Sequence, residues 1–224
     1  MNLLQAAKER HSVRAYTDKR IEGEVKARLI QYIEQCNENS GLNIQLVLDE
    51  PNAFDCMLAH YGKFSGVNNY IALVGKRGHG LYEKCGYYGE KIVLFAQMLG
   101  LNTCWVGGSF SKGKTVCKVN KGEKLALVIA IGYGATSGKA HKSKKLQDVT
   151  VDVQNLPQWF INGVECSLLA PTALNQQKFK FSFNGKRVFA KSGRGVFVKT
   201  DLGIAKYHFE IGAGDTKFVW DNIK

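Results

Sequence analysis

The stretch GEKIVLFAQMLGLNTCWVGG, residues 89–108, gives the strongest indication of how this 224-residue chain folds. Its first half is apolar on nearly every side, which predicts a helix over 89–99 buried at the centre of the structure. A strand over 103–106 follows and ends at Gly107-Gly108. The run LALVIAI at 125–131 is typical of a strand covered on both faces. These segments predict a protein with mixed α and β structure and a large core.

The remaining elements are shorter. Helical patterns occupy 2–8, 22–36, 51–60, 157–169 and 201–211, and strand patterns occupy 44–48, 70–74 and 217–220. The sequence KFKFSF (178–183), then Asn184-Gly185, then KRVFAK (186–191) predicts a β-hairpin. We expect a type I′ turn there, because Asn-Gly accepts the positive φ angles that this turn requires.

Composition narrows the class of protein. The chain is 45% hydrophobic and 22% charged, which excludes a disordered protein, and its formal net charge of +12 raises the question of an anionic partner. The N-terminus has no apolar signal region, and no segment approaches the roughly 20 apolar residues of a membrane span, so we expect a cytoplasmic protein without a membrane partner. Six widely spaced cysteines favour reduced thiols over disulfides or a metal site.

Two faint internal matches suggest duplication. The segment SGLNIQ (40–45) resembles TALNQQ (172–177) at an offset of 132 residues, each time after a helix and before a strand. The helix at 89–100 has a weaker echo at 203–214, at an offset of 114 residues. The matches are short, so chance and duplication both remain open on this observation.

The segment Arg10-His11-Ser12-Val13-Arg14 is the first candidate site. Two guanidinium groups and a hydroxyl at alternate positions suit a terminal phosphate monoester, because both side chains donate forked hydrogen bonds. An arbitrary sequence of this kind is more often a solvated turn. Here the apolar Val13 alternates with the polar residues, which favours a fixed, extended backbone.

Three further segments are candidates. The loop APTALNQQ (170–177) carries amide and hydroxyl groups that could bind the polar edge of a flat heterocycle, or could simply end a helix. Gly107 and Gly108 after Trp105-Val106 could let the backbone approach a ring, or could form an ordinary turn. The lysines at 142, 144 and 145 would alone indicate a solvated basic surface.

Together these motifs carry a resemblance. RHSVRAY (10–16), GLNTCWVGG (100–108), IAIGY (129–133) followed by KSKKL (142–146), and LAPTALNQQKF (169–179) make the chain similar to the nitroreductase-like flavoproteins. It most resembles the branch found in anaerobic and thermophilic bacteria. The resemblance implies an α+β nitroreductase-like fold, with a central, mainly antiparallel sheet flanked by helices, and FMN as cofactor.

The resemblance also assigns residues to the cofactor. Arg10, Ser12 and Arg14, with the backbone of His11, would bind the FMN phosphate and ribityl chain, and Lys144 or its rival Lys142 would complete the phosphate site. The remaining predicted contacts would line the isoalloxazine: Val106, Gly107, Gly108, Pro171, Thr172, Ala173 and Asn175. No catalytic side chain and no metal are expected, because the flavin is the reactive group.

The motif order departs from that of the family. The family's proline-containing loop follows the second helix, whereas here the early position reads NSGLN (39–43) and the full form lies at 171–175. We therefore expect two fused half-units. Residues 1–150 would form the half with the phosphate site, and residues 151–224 a shortened half that completes the flavin pocket, in a pseudo-dimeric monomer or a homodimer.

The function implied is an oxidoreductase that takes hydride from NADH or NADPH and reduces a nitroaromatic or quinone-type acceptor in a ping-pong cycle. One alternative is a non-enzymatic flavin-binding redox or sensor protein, because the same FMN motifs would serve it. A nucleic-acid-binding protein is the less favoured alternative, because the basic residues are spread along the chain and no nucleic-acid-binding motif accompanies them.

Overall fold

The structure is a computed structural model that describes residues 1–151 and 155–221. Its helices are α1 (Leu3–Glu9), α2 (Gly23–Ser40), α3 (Met57–Tyr61), α4 (Leu81–Met98), α5 (Leu146–Val149), α6 (Gln158–Ser167) and α7 (Val198–Ala213). Its strands are β1 (Asn43–Val47), β2 (Tyr70–Lys76), β3 (Asn102–Val106), β4 (Glu123–Gly132), β5 (Phe179–Phe183), β6 (Arg187–Ser192) and β7 (Val219–Asp221). Most predicted elements are confirmed within a few residues.

The chain divides into two compact units. The four-stranded unit comprises residues 10–81 and 91–140, and the three-stranded unit comprises residues 1–9, 82–90 and the described residues from 141 onward. α1 and the first half of α4 belong to the three-stranded unit because they pack with α7, and the predicted halves, 1–150 and 151–224, stay a prediction. Whether a duplication underlies the predicted halves stays a prediction, and residues 152–154 and 222–224 lie outside the described residues.

The four-stranded unit contains an antiparallel sheet with the strand order β1-β2-β4-β3. The two central strands are almost completely buried, and Ala126 to Ile131 of β4 are inaccessible, as the apolar run predicts. Tyr70 begins β2 with its ring in the core, 6.2 Å from the Phe54 ring centroid. Helix α2 packs on β1 and ends at Gly41, whose positive φ of 67° suits a residue without a Cβ.

The helical turn or helix expected over 51–60 is present as two short pieces, and the first is a single turn in which the Asp55 N–H donates to the Pro51 carbonyl at 3.1 Å. Residues 52–54 form turns, and α3 begins only at Met57. The Glu50 carboxylate accepts hydrogen bonds from the backbone N–H groups of Asn52, at 2.9 Å, and Ala53, at 3.4 Å. These bonds and Pro51 favour a turn over a continued helix.

The three-stranded unit contains a sheet with the order β5-β6-β7, in which β5 and β6 are antiparallel and β7 is parallel to β6. The hairpin is confirmed, but its predicted turn type is wrong. Phe183 pairs with Val188, so Gly185 and Lys186 are the central turn residues, and only Gly185 has a positive φ, of 86°. This is the pattern of a type II′ turn. Asn184 instead comes just before the two central residues, and its Oδ1 accepts hydrogen bonds from the backbone N–H groups of Lys186 and Arg187.

Helices α6 and α7 pack together beneath this sheet around an aromatic core. Phe209 of α7 is fully buried, with its ring centroid 5.0 Å from that of Phe181 and 5.3 Å from that of Phe160. The α6 backbone approaches this ring at Gly163, where a Cβ would lie 2.8 Å from the Phe209 ring. The small residue therefore allows close helix packing.

Helices α4 and α7 cross at a pair of glycines. A Cβ at Gly86 would lie 2.1 Å from the Thr200 carbonyl oxygen, and one at Gly203 would lie 1.9 Å from the Glu83 carbonyl oxygen. Gly86 approaches the residues at positions −3 and +1 from Gly203, and Gly203 approaches the residues at positions −3 and +1 from Gly86. The crossing is therefore symmetric about the two glycines. The sequence predicted a helix only from residue 89, because the first turns of α4 carry little apolar periodicity.

Polar side chains lie around this crossing. Lys206 donates to Glu83, Tyr87 donates to Glu210, and the fully buried His208 and Glu90 lie 2.9 Å apart. In the described ranges, no helix is long and apolar enough to cross a membrane. All six cysteines are free, as predicted.

Candidate functional site

The segment that contains Arg10, His11, Ser12 and Arg14 lies extended in the four-stranded unit. Ser12 forms a parallel bridge with Thr103 of β3, and the Val13 N–H donates to the Thr103 carbonyl at 3.1 Å. Ala15 forms a second parallel bridge with Ser65. Val13 is fully buried, so the backbone is fixed, as the alternation of apolar and polar residues predicts.

The predicted phosphate ligands surround one buried thiol. Burial raises the pKa of Cys104, while the Arg14 guanidinium, a hydrogen bond with Ser12 and the Arg10 guanidinium all lower it. Arg10 is 3% exposed, whereas Arg14 is exposed and lies with its guanidinium carbon 5.9 Å from the Phe64 ring centroid. Arg10, Ser12 and Arg14 alternate along one extended segment that is bridged to β3 at Ser12, and two guanidinium groups with a hydroxyl are the donor types that suit a phosphate monoester.

The predicted glycine pair lies at the end of the same strand. Val106 is the last residue of β3 and is buried, and Gly107 and Gly108 follow it. A Cβ at Gly108 would meet no protein atom within 4 Å, so the exposed backbone at this position is open to a ligand. The four-stranded unit thus brings Arg10, Ser12 and Arg14 to the strand that leads into Gly107-Gly108.

A cavity of about 270 Å³ lies beside the extended segment that contains Arg14 and Ala15. Phe64 and Ser65, which contact Arg14 and Ala15, are among its lining residues. The other lining residues are Pro51, Phe54, Asp55, His60, Gly66, Val67 and Asn68. Its mixture of aromatic rings and polar groups suits a planar molecule with polar substituents.

The other predicted contacts come together in the three-stranded unit. The Lys142 carbonyl accepts hydrogen bonds from the side-chain amides of Asn175, at 2.8 Å, and Gln177, at 2.9 Å. The Lys144 N–H donates to Gln177 Oε1 at 2.9 Å, and the Lys144 Nζ donates to the Gln177 carbonyl at 3.1 Å. Thr172 Oγ1 accepts from the Gln177 N–H at 3.1 Å. The KSKK segment and the Thr172–Gln177 loop are therefore one hydrogen-bonded cluster.

Gln177 is the centre of this cluster and was not among the predicted contacts. It is 2% exposed, and its side chain bonds to both lysine residues. The sequence signal was the glutamine pair that closes the TALNQQ repeat, but its role depends on the folded position of the KSKK segment. The Lys144 ammonium donates to the Gln177 carbonyl, whereas Lys142 contacts the loop through its backbone carbonyl.

The loop itself has an unusual backbone. Leu174, Asn175 and Gln177 have positive φ angles of 52°, 51° and 44°. Each such residue costs about 1–3 kcal/mol when it is not glycine, and such strain is concentrated at functional sites. Pro171 is buried before the loop, and the Ala173 N–H donates to Asp201 Oδ1 at 3.0 Å. Asp201, which lies in the first turn of α7, was not among the candidate residues found from the sequence.

Comparison with known proteins identifies the family. The family model described as "Putative TM nitroreductase" matches residues 2–213. The chain belongs to this nitroreductase family. A comparison with curated protein sequences finds no match.

Solved structures agree with the family. A nitroreductase structure from Thermotoga maritima is 25% identical, with a TM-score of 0.68, and the match covers 93% of this chain and 82% of that one. An FMN-dependent nitroreductase from Clostridium difficile is 19% identical, with a TM-score of 0.51, over 67% of this chain and 98% of that one. A Desulfovibrio desulfuricans nitroreductase solved with FMN is 16% identical, with a TM-score of 0.52, over 70% and 98% of the two chains. The predicted α+β nitroreductase-like fold is confirmed.

Proposed function

We propose that this nitroreductase-family protein is an FMN-dependent oxidoreductase that takes electrons from NADH or NADPH and passes them to a nitroaromatic or quinone-type acceptor. The observation that carries the proposal is the extended segment with Arg10, Ser12 and Arg14, which is bridged to β3 at Ser12 and to Ser65 at Ala15. A matching family over residues 2–213 and neighbours described as FMN-dependent or FMN-bound support it.

The chemistry of the donor set fits FMN. Guanidinium groups donate paired hydrogen bonds to phosphate oxygens, and the Ser12 hydroxyl adds another donor. The bridges to Thr103 and Ser65 hold these donors on a rigid backbone, so little order is lost when a phosphate binds. Arg10 is 3% exposed, so its side chain is held within the four-stranded unit beside Ser12.

Bound FMN supplies the hydride-transfer chemistry. In our proposal the protein orients it: the motif at 10–14 binds the phosphate, and the open backbone at Gly107-Gly108 contacts the ring. Val106, Pro171, Thr172, Ala173 and Asn175 remain predicted ring contacts, and Lys142 or Lys144 a predicted phosphate ligand. The strained loop at 172–177 supports this assignment, because it presents fixed amide and hydroxyl groups.

The cavity beside Phe64 is proposed as part of the acceptor site. Its volume of about 270 Å³ is near the lower limit of ordinary ligand pockets, which favours single-ring acceptors. Phe54 and Phe64, which line the cavity, pack edge to face with their centroids 5.3 Å apart and form an apolar part of its wall.

We also propose that the chain contains both halves of a family dimer. The symmetric crossing of α4 and α7 at Gly86 and Gly203 supports this, because a two-fold axis relates such contacts in a dimer of identical chains, and it sets the offset of this helix pair at 117 residues in place of the 114 of the sequence match. One FMN per chain is expected, because the second half lacks an RxSxR motif. Light scattering combined with flavin quantification measures both the chain number and the FMN content.

The proposed function is tested by adding FMN to purified protein and following flavin absorbance and fluorescence. Arg14→Gln is expected to weaken FMN binding about 10- to 100-fold, because it removes a charge-assisted bidentate contact. Arg20→Gln is the matched control, since Arg20 is an exposed guanidinium outside the motif, 3.9 Å from Asp49. Equal FMN affinities for the two variants would contradict the assigned phosphate site.

Anaerobic addition of NADH or NADPH to the FMN-loaded protein tests the reaction. Bleaching of the flavin, followed by recovery when a quinone or nitroaromatic is added, is the expected result. FMN binding without bleaching would favour the alternative of a flavin-binding sensor protein. Protein that binds no FMN under any condition would refute the proposal.

A further inference from the structure

The carboxylate of Asp201 is almost completely enclosed at the start of α7. The residue is 3% exposed, and both of its oxygens accept hydrogen bonds from the loop at 172–177. Oδ1 accepts from the Ala173 N–H at 3.0 Å, and Oδ2 accepts from Gln176 Nε2 at 2.7 Å. No cation in the described residues pairs with it. Because a buried charge without a counterion destabilises a fold, its presence calls for a role.

The loop that Asp201 holds is the strained one. Three of the four residues from Leu174 to Gln177 have positive φ, and none of them is glycine. Such a backbone persists only when its surroundings fix it. Gln177 anchors the far end of the loop through Thr172 and the KSKK segment, and Asp201 anchors the near end through Ala173 and Gln176.

We propose that Asp201 is a positioning residue whose ionised carboxylate holds the Thr172–Gln177 loop in the conformation that contacts FMN. The inference rests on the proposed function, since it assigns a role to a residue behind the predicted ring contacts Ala173 and Asn175. Asp201 itself does not contact the cofactor in this proposal. Its effect is transmitted through the Ala173 N–H and the Gln176 side chain.

The ionised form is the one that matches the donors. Two N–H groups point at the two oxygens, so a proton on either oxygen would face an N–H and weaken one hydrogen bond. Burial raises the pKa of Asp201 to about 6, although the bonds from Ala173 and Gln176 lower it. The groups that face the carboxylate are neutral. The causes that act on this pKa are burial and these two hydrogen bonds, and no charged group is among them.

Two variants separate the contributions. Asp201→Ala removes both acceptors. Asp201→Asn keeps one acceptor and turns a donor toward Gln176, which can accept it only by flipping its amide and breaking the 2.7 Å bond from Nε2 to the Val196 carbonyl. Asp215→Asn is the matched control, because Asp215 is exposed just after the end of α7.

The experiment measures FMN affinity by fluorescence between pH 5 and pH 8 for the wild type and the three variants. For the wild type we expect the FMN dissociation constant to rise as the pH falls through about 6, the pKa of Asp201. Asp201→Asn should bind about tenfold more weakly at pH 8 and show a smaller pH step, since the FMN phosphate also takes up a proton near pH 6, and Asp201→Ala should bind more weakly still. Asp215→Asn should keep the wild-type affinity and pH step.

Hydrogen exchange of the 172–177 peptide in FMN-free protein gives a second measurement that does not depend on the cofactor. Both Asp201 variants should exchange faster there than Asp215→Asn, with unchanged exchange in β2 and β4. Wild-type affinity, wild-type pH step and wild-type exchange in Asp201→Asn would overturn the positioning role. Wild-type protein that binds no FMN would refute the proposed function instead, while the exchange data would still decide whether Asp201 fixes the loop. An Asp201→Ala protein that fails to fold leaves the decision to Asp201→Asn.

Discussion

Replacing Gly86 or Gly203 by alanine tests the crossing of α4 and α7 in a way that separates local propensity from packing. Alanine is favoured over glycine by about 1 kcal/mol inside a helix, so propensity alone predicts that both variants are more stable. The structure predicts the opposite sign. A Cβ at Gly86 would lie 2.1 Å from the Thr200 carbonyl oxygen, and one at Gly203 would lie 1.9 Å from the Glu83 carbonyl oxygen.

The size of the loss follows from these distances. Ordinary contact begins at 3.4 Å, so the helices would have to separate by about 1.3 Å at Gly86. The obstacle is backbone in both cases, and no change of rotamer relieves it. Separation also disturbs the Lys206–Glu83 ion pair beside the crossing. Overpacking costs about 1–3 kcal/mol and occasionally more, so we expect each variant to lose about 3 kcal/mol of unfolding free energy after the propensity gain.

Urea unfolding followed by circular dichroism measures the change. Gly113→Ala is the control, because a Cβ at this exposed glycine would meet no atom within 4 Å, and it should change stability by less than about 0.5 kcal/mol. The double variant at Gly86 and Gly203 should lose less than the sum of the single losses, since helices already separated by one methyl group accommodate the second. A more stable Gly86→Ala or Gly203→Ala protein would refute the description of this crossing.

Three other measurements bear on the three-stranded unit. Burial raises the pKa of Asp201 from 3.8 to about 6, so the folded state binds this proton more tightly than the unfolded state does. At pH 7 the buried charge therefore lowers the free energy of unfolding by about 3 kcal/mol. This loss of stability should disappear as the pH falls from about 6 to 4. The difference in urea stability between wild type and Asp201→Asn, followed over this range, should therefore shift toward the wild type by about that amount, and a constant difference would contradict it. Glu90→Ala should lower the free energy of unfolding by about 3 kcal/mol, because it leaves His208 buried without its 2.9 Å partner. The control Glu24→Ala, at an exposed site, should lower it by less than about 0.5 kcal/mol. Equal losses of stability would refute the importance of the pair. Burial raises the pKa of Cys166 to about 12, so mass spectrometry should find it unalkylated by iodoacetamide at pH 8 until the protein is unfolded, and rapid alkylation of the native protein would contradict its burial.

The elements that could be predicted are those whose pattern is local. The buried strand at 125–131 is apolar at every position, and the hairpin has a strong turn signal, so both were found. Helix α4 was predicted eight residues too short at its start, because packing at Gly86 rather than an apolar stripe decides its first turns. The hairpin turn differed in type because the pairing of Phe183 with Val188 moves Gly185 to the first central position.

The candidate site shows the same division. The arrangement of Arg10, Ser12 and Arg14 along one extended segment follows from residue spacing, and the structure bridges this segment to β3 at Ser12. Asp201 could not be found in this way, because its partners lie 25 to 28 residues earlier in the chain and meet it only after folding. A lone aspartate in the first turn of a helix has an ordinary local explanation, as a favourable charge near the helix dipole.

The crossing of α4 and α7 at Gly86 and Gly203 also affects how the stability of the protein depends on its concentration. Two helices from separate subunits dissociate on dilution, because their association depends on protein concentration. Here the chain between Met98 and Val198 keeps α4 and α7 in one molecule, so their encounter is intramolecular and its effective concentration is set by the connecting residues. The crossing should therefore be as complete in a cell with few copies as in a concentrated solution.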